Sequence, residues 1–172
     1  EDAATHPTAS EVVGDGVDQT CDGQESCFYD NDDDGYLDAT ADTIDSPDAD
    51  CDDPFEGTVA DATTDCNDAA ATEYPGATEV TADGVDQDCD AGDLCFEDND
   101  GDHFGSLTIR SSTDLDCTGA YESLVATDCD DLDSGAYPGA TEVTADGVDQ
   151  DCDGGDVCYL DLDLDSYAGE TV

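Results

Sequence analysis

The chain has 172 residues, fifty of them Asp or Glu against one Arg and no Lys, for a formal net charge of -49. Leu, Ile, Val and Phe together supply only 26 residues, too few for so charged a chain to fold on hydrophobic burial alone. The charge argues against nucleic acid and anionic membranes as partners, and no apolar run is long enough to insert in a bilayer.

Two other features are available to hold the chain. Ten cysteines at repeating spacing indicate disulfides, and so an extracellular or cell-surface location. With no initiator Met and no apolar leader, the chain reads as a mature exported product. The acids are forty Asp to ten Glu. A short Asp reaches an ion from a tight turn, whereas solubility would be served by either acid. A halophilic surface would scatter its acids instead of fixing them at alternate positions.

The first phrase in the chain is Pro7-Thr-Ala-Ser-Glu11-Val-Val-Gly-Asp15-Gly-Val-Asp18-Gln-Thr-Cys21-Asp22-Gly23. It recurs with Glu79, Asp83, Asp86, Asp88 and Asp90, and again with Glu142, Asp146, Asp149, Asp151 and Asp153. The internal repeat therefore steps 68 and then 63 residues, from Glu11 to Glu79 to Glu142. Glu79, Asp83 and Asp86 fall at helical spacing, but Gly84, Val80 and Thr81 disfavour a helix. The alternate carboxylates read instead as one cation-binding loop, with Thr20 weakening the first copy.

A cysteine and a second acidic loop follow. Asp30-Asn-Asp-Asp-Asp-Gly-Tyr-Leu-Asp38 offers Asp30, Asp32, Asp34 and the backbone at Tyr36, with Gly35 turning the chain and Asp38 in reach. The next copy offers Asp98, Asp100, Asp102 and the carbonyl of Phe104, with His103 standing where Gly would be usual. The last offers Asp161, Asp163, Asp165 and the backbone at Tyr167. Leu160, Leu162 and Leu164 alternate there as in an exposed strand, but the register with the other copies favours a loop. Position twelve is Ala41, Ile109 or Val172, so the bidentate Glu of a helix-loop-helix calcium hand is missing. Other ligands must come from elsewhere in each unit, with Asp68 and Asp131 as candidates.

Asp68-Ala-Ala-Ala-Thr72 suits one helical turn capped by Asn67 or Asp68, and Ser106 to Ser111 alternates around Leu107 and Ile109 like a short strand. Tyr-Pro-Gly-Ala, at Tyr74 and Tyr137, predicts a type II turn with Gly in the left-handed position. These tyrosines, with Phe28, Tyr29, Phe96, Phe104, Tyr159 and Tyr167, make a thin local core. The expected fold is mostly irregular with small β elements: tandem repeats stapled by disulfides and calcium into an elongated rod, with few strands and single helical turns. Residues 1–26 are the C-terminal half of a repeat, 27–94 and 95–157 are full repeats, and 158–172 are an N-terminal half.

With these motifs together, nearly the whole chain resembles the metal-binding repeat family of bacterial surface proteins that carries the MopE-type motif. Its acidic loops are similar to thrombospondin type 3 repeats, which implies calcium wrapped with little regular structure. The family commonly places a cysteine after the Glu-Val pair, where this chain has Val13, Thr81 and Thr144, so its disulfide map does not carry over. Its copper association does not suit a chain with no Met and only His6 and His103; no copper is expected. Hard oxygens suit calcium, on the order of six ions held at roughly 0.1 to 1 mM, with magnesium or manganese weaker.

The pairing that closes every cysteine within the chain is Cys21–Cys27, Cys51–Cys66, Cys89–Cys95, Cys117–Cys129 and Cys152–Cys158, and it is the preferred one. The alternative joins Cys27–Cys51, Cys66–Cys89, Cys95–Cys117 and Cys129–Cys152, leaving Cys21 and Cys158 to neighbouring segments.

These features suggest a structural subunit or segment of an extracellular filament or surface matrix. The two terminal halves would complete one unit by head-to-tail self-association. A soluble calcium buffer or calcium-dependent adhesion module for glycans or protein is the alternative. No nucleophile and base fall in a recognisable motif, so an enzyme is not expected. Thr63, Thr64, Ser111, Ser112 and Thr113 are candidates for O-linked glycans.

Overall fold

The computed structural model describes residues 5–40 and 42–161. The chain divides into two compact units, Glu1–Glu79 with Asp86–Asp90, and Val80–Val85 with Ala91–Val172. Each unit holds one small antiparallel sheet, and no helix forms among the described residues.

In the first unit β1 (Ser26–Tyr29) is the central strand, flanked by β2 (Thr43–Asp45) and β3 (Glu56–Gly57). In the second, β4 (Leu94–Glu97) lies between β5 (Ile109–Ser111) and β6 (Glu122–Ser123). The registers match: Cys27 faces Ile44 and Phe28 faces Gly57, while Cys95 faces Arg110 and Phe96 faces Ser123. The expected strand over 106–111 begins only at Ile109. Leu107 is 86% exposed and Ile109 51% exposed, so that alternation marks a solvent face, not a core face.

The core is cystine. Cys27, Cys51, Cys95 and Cys117 are buried alongside Leu37 and Ala136, so disulfides occupy the interior that aliphatic side chains would fill in an ordinary domain. The bridges are Cys27–Cys51, Cys66–Cys89, Cys95–Cys117 and Cys129–Cys152, with Cys21 and Cys158 free and exposed. The preferred local map is therefore corrected to its alternative. Pairing β1 with β2 carries the chain back so that Cys51 meets Cys27, and β4 with β5 does the same for Cys117 and Cys95. Tyr74 N–H donates to the Gln87 carbonyl at 2.8 Å and Tyr137 N–H to that of Gln150 at 2.8 Å, drawing each following cysteine back toward Cys66 and Cys129.

The aromatics pack locally. Tyr36 stacks on Tyr74 and Phe104 on Tyr137, both with centroids 5.4 Å apart, which ties each acidic loop to the Tyr-Pro-Gly-Ala turn of its own unit. That turn has Gly76 at φ 90 and Gly139 at φ 89, closed by Ala77 N–H to Tyr74 and Ala140 N–H to Tyr137, each 2.9 Å. Tyr159 is more than half exposed, and Tyr167 lies outside the described residues. At 67–73 two tight turns, closed by Ala70 N–H to Asn67 O and Glu73 N–H to Ala70 O, replace the expected helical turn. The carboxylate and carbonyl of Asp68 are bonded to Asn31 and do not cap a helix.

The two units solve one packing problem with opposite side chains. Leu37 is buried over Gly57, where an added Cβ would sit 2.7 Å from Leu37 Cδ2. At the corresponding positions the second unit has Gly105 and Ser123, and a Cβ on Gly105 would meet Ser123 Cβ at 3.1 Å.

Candidate metal centres

In each acidic loop the first Asp shapes the backbone. Asp30 is buried and accepts N–H bonds from Asp33 at 2.7 Å and Gly35 at 2.9 Å. Asp98 is buried too and accepts from Gly101 at 2.7 Å and His103 at 3.0 Å. These bonds curl the loop so that the alternate carboxylates converge. His103 holds φ 80 where Gly35 holds φ 87, so it occupies a glycine position.

The converging oxygens lack donors. Both carboxylate oxygens of Asp32, and Oδ2 of Asp34, are buried with no hydrogen-bond partner, as are Oδ2 of Asp100 and Oδ2 of Asp102. The remaining oxygens of Asp34 and Asp102 accept the N–H of Tyr36 at 2.8 Å and of Phe104 at 2.9 Å. A buried carboxylate without a donor costs several kcal/mol unless a proton or a cation neutralises it.

The loops are completed by residues the sequence reading did not select. Asp65 lies with Asp32 and Asp34 in one group whose ligand oxygens are all within 4.8 Å of one another, and its Oδ2 is also buried and unpartnered. Asp128 does the same work beside Asp100 and Asp102. The only sequence signal for them is an Asp immediately before Cys66 and Cys129 in both copies. Leu37 positions Asp65: its N–H donates to Ala62 O at 2.9 Å and its carbonyl accepts Asp65 N–H at 3.1 Å. Gly105 likewise accepts Asp128 N–H, at 3.1 Å.

Asp68 and Asp131 sit at the edge of these groups as latches. Asn31 N–H donates to Asp68 at 3.1 Å, and Asn99 donates to both oxygens of Asp131 at 2.8 Å. Asp68 still forms a second group with Asp30 and Asp32 within 4.8 Å. Asp38 accepts the N–H and hydroxyl of Thr40, and its charge bears on Asp68. Asp161 is described, whereas Asp163, Asp165 and Tyr167 lie outside the described residues.

Burial, and then the Asp34 charge, push the Asp32 carboxyl up to about 6. Burial raises Asp34, Asp68, Asp100 and Asp128 as well, with neighbouring carboxylates adding to it. These are the signs expected of carboxylates buried and packed against one another.

The Glu-Val phrase makes shallower, more exposed clusters. Glu79, Asp86 and Asp88 bring oxygens within 4.8 Å. Asp18 accepts the N–H groups of Asp22 and Gly23, and Asp149 those of Asp153 and Gly154. Glu11 accepts from Thr20 at 2.7 Å, and Glu142 from Gln150 at 2.6 Å. Asp15 and Asp146 are engaged by Val17 and Val148 N–H and by the side chains of Gln19 and Gln150, and Asp83 by Val85 N–H. Asp22, Asp90, Asp151 and Asp153 form the tight turns around the cysteines, with Cys21 and Cys152 in left-handed backbone at φ 60 and 57.

Residues 1–26, 65–93 and 128–156 match a family model, Cu-binding MopE, described as a putative metal-binding motif. The three matched segments follow the internal repeat marked by Glu11, Glu79 and Glu142. No curated protein and no solved structure matches the chain. The motif copies contribute Asp65, Asp68, Asp128, Asp131 and the Glu-Val clusters, while the acidic loops at 30–38 and 98–105 fall between the matched segments.

The donor set does not fit the copper of the family's name. Cys66 and Cys89 lie close to Asp65, and Cys129 and Cys152 close to Asp128, but each pair is a disulfide and offers no thiolate. Met is absent, His6 is engaged with Thr8, and His103 is a loop residue. In the groups of Asp32, Asp34 and Asp65 and of Asp30, Asp32 and Asp68 the donors are carboxylate oxygens, the donor chemistry of a hard divalent cation.

Proposed function

We propose that this chain is a calcium-binding structural repeat protein, a subunit or segment of an extracellular filament or surface matrix. The observation that carries the reading is the duplicated constellation of Asp32, Asp34 and Asp65 and of Asp100, Asp102 and Asp128, each of which keeps a buried oxygen with no donor. A cation of 6 to 8 oxygen ligands and variable geometry uses such a loop well. Magnesium, which demands a tighter octahedron and keeps its waters, uses it less well.

Calcium here would be a folding component. Each ion offsets two charges in a chain of net charge -49 whose interior is mostly cystine. Clusters in both motif types imply on the order of six ions for the chain, of weak extracellular-module affinity. Four disulfides agree with an oxidising compartment. Cys21 and Cys158 occupy positions that are bridged in the other copies, by Cys89 and Cys152 and by Cys27 and Cys95. The reading is non-enzymatic.

The test is particle length by electron microscopy in millimolar calcium, after chelation, and after calcium is restored. Filaments that shorten or dissolve and then regrow are expected. Compact monomers throughout would replace the filament with the buffer or adhesion module, and wild-type protein that takes up no calcium would overturn the reading altogether.

A further inference from the structure

Glu25 belongs to neither acidic loop, and it is 1% exposed with neither carboxylate oxygen meeting a hydrogen-bond partner. It lies two residues before Cys27, as Asp93 lies before Cys95 and Asp156 before Cys158. In those two copies the shorter acid closes on the backbone of the preceding Asp-Gly turn. Asp93 accepts Gly84 N–H at 2.9 Å, and Asp156 accepts Ala145 N–H at 3.1 Å and Gly147 N–H at 2.7 Å. Glu25 is one methylene longer and does not make these bonds. It reaches instead to the carboxylates of Glu11 and Asp15, whose charges, after burial itself, push its carboxyl up to about 7.

Glu11 and Asp15 are held in place by other bonds. Thr20 N–H donates to Glu11 at 2.7 Å, and the Gln19 amide, itself buried, donates to Asp15 at 2.9 Å. Two carboxylates are thus fixed beside a side chain that does not make the hydrogen bonds its counterparts make. A carboxylate in that setting is neutralised by a counter-charge among its neighbours.

We propose that Glu25, Glu11 and Asp15 form a further divalent-cation site within the first matched segment, distinct from the loops at 30–38 and 98–105 and built on the length of Glu25, with calcium as its ion. The inference rests on the calcium reading above. Its ligands are hard oxygens from two sides of one turn, with Glu25 supplying the buried side. The site couples the first motif copy to β1, because the Gly14 N–H donates to Ser26 O at 2.7 Å and Ser46 N–H to Glu25 O at 2.8 Å.

The experiment is equilibrium dialysis of metal-stripped, disulfide-intact protein against calcium, with bound metal counted by mass spectrometry. Wild type is compared with Glu25→Gln and with Glu25→Asp, the residue the other copies carry. Each variant is expected to bind one calcium fewer than wild type while keeping the rest. Equal stoichiometry in wild type and either folded variant would overturn the site, leaving a proton shared between Glu25 and Glu11. A wild type that binds no calcium overturns both this site and the calcium reading. Should both variants fail to fold, anomalous diffraction from calcium-loaded wild-type crystals decides: a peak at the Glu25 oxygens is expected, and none there refutes the site.

Discussion

Without calcium, this protein is expected to become less stable as the pH rises from about 4 to about 6, the reverse of ordinary acid denaturation. Asp32 carries the argument. Burial and the adjacent Asp34 raise its carboxyl from 3.8 to about 6, so between those values the folded chain holds a proton that the unfolded chain has released. Stability falls with pH wherever the native state binds more protons. The contribution is fully present below the unfolded value and gone above the folded one. A displacement of roughly two pKa units corresponds to about 3 kcal/mol. Asp34, Asp68, Asp100 and Asp128 move in the same direction and steepen the decline. The assay is urea unfolding in metal-stripped buffers across that interval, followed by tyrosine near-ultraviolet circular dichroism. Asp32→Asn removes the titrating group, so its decline should be shallower by about 3 kcal/mol. At neutral pH the calcium-free variant should be the more stable protein, while in calcium the order inverts. Wild-type stability that is flat or rises through the interval, or an unchanged slope in Asp32→Asn, would refute the reasoning.

Three further outcomes are expected. Non-reducing peptide mapping should leave only Cys21 and Cys158 open to alkylation, and replacing Cys27 and Cys51 by Ala should cost about 3 to 4 kcal/mol, read from the denaturation midpoint. Gly57→Ser should destabilise by about 1 to 3 kcal/mol because its Cβ meets Leu37, and adding Leu37→Gly should recover part of that loss, as Gly105 with Ser123 already does. His103→Gly should stabilise the second loop by about 1 kcal/mol, since φ 80 strains any residue with a Cβ. A thermal melt in calcium shows the shift.

The balance between local and distant contacts explains what was legible. Asp30 and Asp98 organise their loops through bonds three and five residues away, and the Tyr-Pro-Gly-Ala turns close over three residues. Such features follow from spacing alone. Asp65 and Asp128 could not be found that way, because nothing near them in the chain says that a loop some thirty residues earlier needs one more oxygen. The alternation at Leu107 and Ile109 misled for the same reason: period marks a face, and only packing says which face is wet.

By itself, then, the sequence determined the repeat, the acidic loops, their hard-oxygen donors and the need for staples in place of a hydrophobic core. Tertiary structure alone decided which cysteines meet, because the return of β2 along β1 sets Cys51 beside Cys27 at a separation of 24 residues. It also decided which of fifty acids are buried without donors. Charge can be counted along a chain, but the cost of a charge depends on the water around it. That is known only once the backbone has brought Asp32 to Asp65 and Glu25 to Glu11.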